Sequence, residues 1–386
     1  MPPPPRILDS HIHLWPHTST NPAGHAWMTP DGPLTKQHSL SDYFAATSTT
    51  SPSSSPPSPS PTVHGAIYIE TDRTLSSSSN ILTRASQPLA ELRWLCRLVT
   101  GTPDAGEGFA AGDGAVLWGV VPWLPVDAGS LDELRAYLAA AEEAAGPEAW
   151  ARVVGWRFLL QGIGEEGALE RVLGGEGWKR GLREVVGMRG WCFDVGVDAR
   201  GVGAWQVERV VEACERVNSE RVVGVDGEGE AGPPVRFVLN HLCKPDMQQH
   251  PATPAQHDEF ARWSAAIRRA ARSPHTYMKL SGAFSEMGGD PDHDLPWTPE
   301  RVLDRMRPWL DVLFDAFPPE RIMFGSDWPV CNVRGGAAAW KSWVAAVEGI
   351  LDVYGLTDEQ RDRVWYGTAV EAYRLSPPTE RKKVEA

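Results

Sequence analysis

Eight short runs of apolar and β-branched residues punctuate the chain, and segments of helical periodicity fall between most of them. The runs are Ile7–Leu14, Gly65–Thr71, Val116–Leu124, Val153–Gln161, Trp191–Val197, Val235–Asn240, Thr276–Ser281 and the stretch beginning at Ile322. Helices are expected over Ser41–Ala46, Asn80–Thr100, Leu131–Ala145, Ala168–Met188, Gly201–Asn218 and His257–Arg272. A last one is signalled by Thr357 with Gln360 three residues on, a capping-box spacing, and runs to about Leu375. Strands that are apolar throughout and separated by helices read as a parallel sheet covered on both faces. Eight such units make an α/β chain with the architecture of a (β/α)8 TIM barrel. A doubly wound open sheet would place a Gly-rich phosphate turn after the first strand, and His11 and His13 stand there instead.

The strand ends carry the chemistry. IMFGSDWPV, residues 322–330, delivers Asp327 at the end of the eighth run, and Pro329 stops the strand because it has no N–H for the next rung. A carboxylate there needs a partner. ILDSHIHL, residues 7–14, offers one from the other end of the chain: side chains two apart on a strand share a face, so Asp9, His11 and His13 are expected to point the same way. Paired imidazoles with a strand-end carboxylate suit a divalent transition metal, zinc by preference. His241, ending the sixth run in NHLCKPD, is the third imidazole, and Glu70 is a further ligand candidate or a salt-bridge partner of Arg73 or Arg157. Lys279 reads as the partner of an internal carboxylate such as Asp194. Arg157, Arg73 and Lys244 are candidates for holding substrate oxygens, and Trp27 and Trp328 for walling the mouth with apolar surface. The other histidines, including His25 and His38, are expected in solvated loops or helices, His25 being the best exception.

Length and composition narrow the rest. The 386 residues suit one barrel domain over 1–386, with the Ser/Pro-rich insertion 47–62 read as disordered and 376–386 as a loose tail. The net charge of −13 argues against nucleic acid. No 18-residue apolar run indicates a membrane partner, and the proline run entering the first strand leaves no room for a signal peptide. Five scattered cysteines without a CxxC read as reduced thiols, so a cytoplasmic location is expected, and a homo-oligomer is compatible with the sequence. No GxSxG elbow supports a serine nucleophile.

Taken together, DSHIHL, YIETDR, NHLCKPD, MKLSG and GSDWPV resemble the amidohydrolase-related TIM-barrel hydrolases, and within them the sugar-lactone hydrolases such as fungal L-rhamnono-γ-lactonases. The resemblance implies an active centre of His11, His13, His241 and Asp327 with Glu70 nearby, Asp327 and His241 catalytic, and a metal-assisted opening of a small-molecule sugar lactone. Two-metal relatives carry a bridging lysine or glutamate on strand four and a histidine on strand five, where this chain has Arg157 and Asp194. One zinc ion is therefore the expectation. A decarboxylase of the same superfamily and a metal-independent lactonase are the alternatives.

Overall fold

The computed structural model describes residues 6–47, 62–219, 233–248, 254–288 and 297–376. The Ser/Pro-rich insertion and the tail lie outside these, apart from residues 47, 62 and 376 at their edges. Eight parallel strands alternate with helices: β1 Arg6–Ile12, β2 Thr62–Ile69, β3 Leu117–Val121, β4 Gly155–Leu159, β5 Cys192–Gly196, β6 Arg236–Leu239, β7 Thr276–Leu280 and β8 Ile322–Phe324. Ladders join β1 through β3 and β4 through β8 in sequence order. Single parallel bridges link Val120 to Val153 and Trp123 to Arg157 at one seam, and Ile12 to Trp328 at the other. At that second seam the Asp327 N–H donates to the His11 carbonyl at 2.9 Å and the His13 N–H to the Trp328 carbonyl at 2.7 Å. The first and last strands of a (β/α)8 barrel thus meet at the residues the sequence singled out.

Two apolar layers follow from the strand alternation. Leu8, Ile67, Ile69, Val121, Val154, Cys192, Val238, Tyr277 and Met323 fill the barrel interior, while the other strand faces pack outward against the helices. The last helical segment plugs the bottom: Ala369, Ala372, Tyr373 and Leu375 join the interior cluster. The Tyr373 hydroxyl donates to Asp194 Oδ1 at 2.7 Å, and Arg236 Nη1 donates to the Glu371 carbonyl at 3.0 Å. The Thr357–Gln360 capping box that starts this segment is formed as read.

Some helices depart from the expected pattern. The Gly-interrupted stretch expected as one helix over 168–188 splits into an α-helix, Glu166–Gly174, and a π-helical segment, Gly177–Gly187. Gly177 lies so close to the Val126 carbonyl that a Cβ would meet its oxygen at 2.5 Å. Helices over Pro299–Ala316 and Ala339–Val353 add to the expected set; the first carries a visible signal, Thr298 as N-cap followed by Pro299. No helix among the described residues is long and apolar enough to cross a membrane.

The connection after β1 folds back onto the barrel. His25 is fully buried, with Nδ1 against the Ser19 carbonyl at 2.8 Å and Nε2 against Thr71 Oγ1 at 2.9 Å, and His38 is buried against Trp15 and Trp328. Neither is a solvated loop histidine as expected. Apolar burial and the Arg73 charge lower the His25 pKa to about 3, and burial with Lys36 lowers that of His38 to about 4. Both fold neutral, so their contribution is complete above the unfolded value of 6.5 and is lost as pH falls toward 4 and 3. Stability should drop by up to about 1.4 kcal/mol per pH unit for each imidazole in that window. Urea unfolding at pH 7 and pH 5 checks this: His25→Gln, which keeps a donor and an acceptor, should flatten the pH dependence, and an unchanged slope would contradict it.

Candidate active site

Three imidazoles and a carboxylate converge at the mouth. His11 Nε2 lies 3.1 Å from His13 Nε2, and Asp327 Oδ1 lies 3.7, 3.5 and 3.7 Å from the Nε2 atoms of His11, His13 and His241. All four residues are buried. Asp327 follows β8 with φ of 60°, and residues 241–244 after β6 form a run of left-handed backbone, which turns both chains inward over the barrel axis.

Each imidazole is oriented by what its other nitrogen meets. His13 Nδ1 sits 2.9 Å from the Ile69 carbonyl, which accepts only, so the proton is on Nδ1 and the Nε2 lone pair faces Asp327. His241 Nδ1 lies 2.8 Å from the Ser281 hydroxyl. The next residue, Gly282, has φ of 68°, and a Cβ there would meet His241 Nδ1 at 2.5 Å. This gives MKLSG a physical reason: the serine steadies the imidazole and the glycine leaves it room. His11 Nδ1 faces Lys279 Nζ at 3.3 Å, while Lys279 donates to Asp194 Oδ2 at 2.6 Å, the pairing expected from sequence.

Burial, with Lys279 and the neighbouring imidazoles, holds the pKa of His11 well below its ordinary value, and burial lowers that of His241 to about 3 despite Asp327. Burial alone would raise Asp327, but His241, His13 and Lys244 hold it below the usual carboxylate range. At neutral pH the Asp327 carboxylate thus faces neutral His11 and His241, the protonation a divalent cation requires.

The donor set fits such an ion. With metal–nitrogen bonds of about 2.0–2.1 Å, the edge of a coordination tetrahedron is about 3.3 Å, close to the separations found. One ligand atom each from His11, His13 and Asp327 lies within 4.8 Å of the others, and His241 adds a fourth donor 3.7 Å from Asp327. Ligation through His11 Nε2 requires the ring proton on Nδ1, so Lys279, 3.3 Å from that nitrogen, must then present a lone pair, and uptake of an ion is coupled to loss of the lysine's proton.

Other candidates are placed differently. Asp9 turns away from the imidazoles: a register shift between Asp9 and Ile12 breaks the two-residue alternation, and its carboxylate takes the Ser326 N–H at 2.8 Å, the Tyr43 hydroxyl at 3.0 Å and Trp340 Nε1 at 3.1 Å. It braces the β8 loop from behind. Glu70 is engaged through both oxygens, Oε1 by Arg157 Nε and Oε2 by the Asp72 N–H, each at 2.6 Å. It therefore stands outside the imidazole group as the partner of Arg157. Trp328 does not wall the mouth; it is 2% exposed, with its ring edge-on to Tyr43 and His38. Trp27 is the partly exposed indole, 38% accessible, with Nε1 donating to the Thr71 carbonyl. Arg73 is buried beside Glu91, and Lys244 lies 3.9 Å from Glu286. Glu91 and Glu286 are buried mouth-side acids the sequence reading passed over, since each sits on a helix where an acidic residue is ordinarily solvated.

A family model described as amidohydrolase matches residues 230–375. L-Rhamnono-gamma-lactonase of Scheffersomyces stipitis is 26% identical over 373 residues, covering 96% of this chain and 99% of that protein. L-Fucono-1,5-lactonase of Burkholderia multivorans is 35% identical over 144 residues, 37% of this chain and 45% of that protein. Among solved structures, an amidohydrolase from Burkholderia multivorans with bound zinc matches with a TM-score of 0.62 at 23% identity, over 96% of this chain and 100% of that one, a likeness of fold. The stretch matched by that family model supplies His241, Lys279 and Asp327.

Proposed function

We propose that the protein is a metal-assisted lactonase that opens an aldonolactone, L-rhamnono-γ-lactone first and L-fuconolactone or another neutral aldonolactone next, to the free aldonic acid. The observation that carries this is the grouping of His11, His13 and Asp327 at the barrel mouth, with His241 Nε2 3.7 Å from Asp327 Oδ1. The curated lactonases similar to this chain support the substrate class.

A bound divalent cation, zinc by preference, would be held by these four residues and would supply Lewis acidity to the lactone carbonyl and a lowered pKa to water beside it. Asp327 accepts a proton from water as its oxygen adds to the carbonyl carbon. When the tetrahedral adduct collapses the bond to the ring oxygen breaks, and Asp327 returns the proton to that oxygen. Its lowered pKa keeps it ionised for the first step. Ser281 and the Ile69 carbonyl fix the rings of His241 and His13 throughout. Glu70 and Arg157 shape the mouth, where mixed charge suits a neutral polyol better than a multiply anionic ring.

The test is kcat/KM for rhamnono-, fucono-, galactono- and mannono-lactones beside 2-pyrone-4,6-dicarboxylate. Preference for a neutral aldonolactone is expected. A strong preference for the dicarboxylate would overturn the substrate reading.

A further inference from the structure

Seven described residues other than glycine have left-handed backbone: Asp72, the run 241–244, Asp327 and Arg374. Such a conformation is strained for a residue with a Cβ and persists where surrounding structure enforces it. Six of the seven stand at the C-terminal ends of barrel strands, and His241, Lys244 and Asp327 already belong to the site. Of the remaining three, Leu242 and Cys243 are buried apolar residues, and Asp72, three residues beyond β2, is the one that carries a charge without a role.

The enforcement at Asp72 is specific. Its N–H donates to Glu70 Oε2, while Arg157 clamps Glu70 through the other carboxylate oxygen at 2.6 Å and through the backbone carbonyl at 2.6 Å. Thr71 is tied by its N–H to Glu91 at 3.1 Å and by its hydroxyl to His25 at 2.9 Å. Arg73 on the other side is buried against Glu91. Between two inward-held neighbours Asp72 is exposed, and its carboxylate makes no hydrogen bond or ion pair among the described residues. The same strand end carries the Ile69 carbonyl that holds His13, so Asp72 stands on the rim next to the imidazole group.

We infer that Asp72 is the specificity residue of the mouth, accepting hydrogen bonds from two adjacent hydroxyls of the substrate with its two carboxylate oxygens. A free carboxylate offers two acceptors in one plane, and a vicinal diol offers two donors at matching spacing, each bond strengthened by the charge. An anionic ring would be repelled at the same place. This rests on the lactonase reading and names which part of the substrate is read apart from the ester.

The experiment compares wild type with Asp72→Asn and Asp72→Gly, both of which tolerate left-handed backbone, so that loss of folding does not mask the result. KM and kcat are measured for rhamnono-γ-lactone and for unsubstituted γ-butyrolactone, with metal content determined in parallel. KM for the hydroxylated lactone should rise about tenfold or more with kcat within about twofold, while kcat/KM for γ-butyrolactone and the metal content stay unchanged. Equal losses on both lactones, or no change on the hydroxylated one, overturn the role of Asp72 and leave the lactonase reading standing. A wild-type enzyme that opens neither lactone overturns both.

Discussion

Asp327→Asn is expected to fold and to lower kcat by about 10²–10⁴-fold, the contribution of a positioned proton acceptor. The amide keeps the shape and one carbonyl oxygen toward the imidazoles, but it cannot take a proton from water or carry one to the ring oxygen. The Asp327 N–H bond to the His11 carbonyl is a backbone bond and survives, so the seam between β1 and the β8 loop should hold. Circular dichroism and the unfolding midpoint report the fold, and a pH-stat assay on the aldonolactone reports the rate. Turnover near wild type would remove Asp327 from the mechanism.

Lys279→Met is expected to cost about 3–5 kcal/mol of stability, since it strands one member of a buried ion pair. Lys279 and Asp194 are both fully buried, 2.6 Å apart, and among the described residues Asp194 keeps only the Tyr373 hydroxyl as a hydrogen-bond donor when the lysine is gone. Adding Asp194→Asn removes the stranded charge while preserving an acceptor for Tyr373, and should recover most of the loss. Denaturant midpoints of the single and double variants measure this, and a single variant within about 1 kcal/mol of wild type would mean the pair is not charged as drawn. The lysine also faces His11 Nδ1, so the variant should bind a divalent ion with altered pH dependence.

The barrel was legible because a parallel sheet covered on both faces writes apolar runs at regular spacing, and the His-x-His and GSDWP strand ends stand out against them. Strand registers were not legible. Asp9 was expected beside the imidazoles, and a bulge of the kind no periodicity announces turned it outward onto Tyr43 and Trp340. Glu70 and Arg157 were both seen at strand ends, yet which polar group a buried carboxylate pairs with depends on neighbours 87 residues away. The position of Trp328 after Asp327 suggests a wall, whereas the turn of the chain sends it into the layer against Tyr43. His25 and His38 lie in a polar, turn-rich stretch whose Trp27 and Met28 hint that it folds over the mouth, and the tertiary fold places it on the end of β2. The role of the last helix as the barrel's plug is likewise a matter of long-range packing, carried by Tyr373 on Asp194 and by Cys192 on the Ala372 carbonyl.

On the proposed function, one divalent ion at His11, His13, His241 and Asp327 drives lactone opening. Chelated protein, reloaded stepwise with zinc, should regain its rate of rhamnono-γ-lactone opening in proportion to bound metal, saturating at one ion per chain. A chelated protein shown by metal analysis to be empty, yet opening the lactone at the full rate, would contradict it.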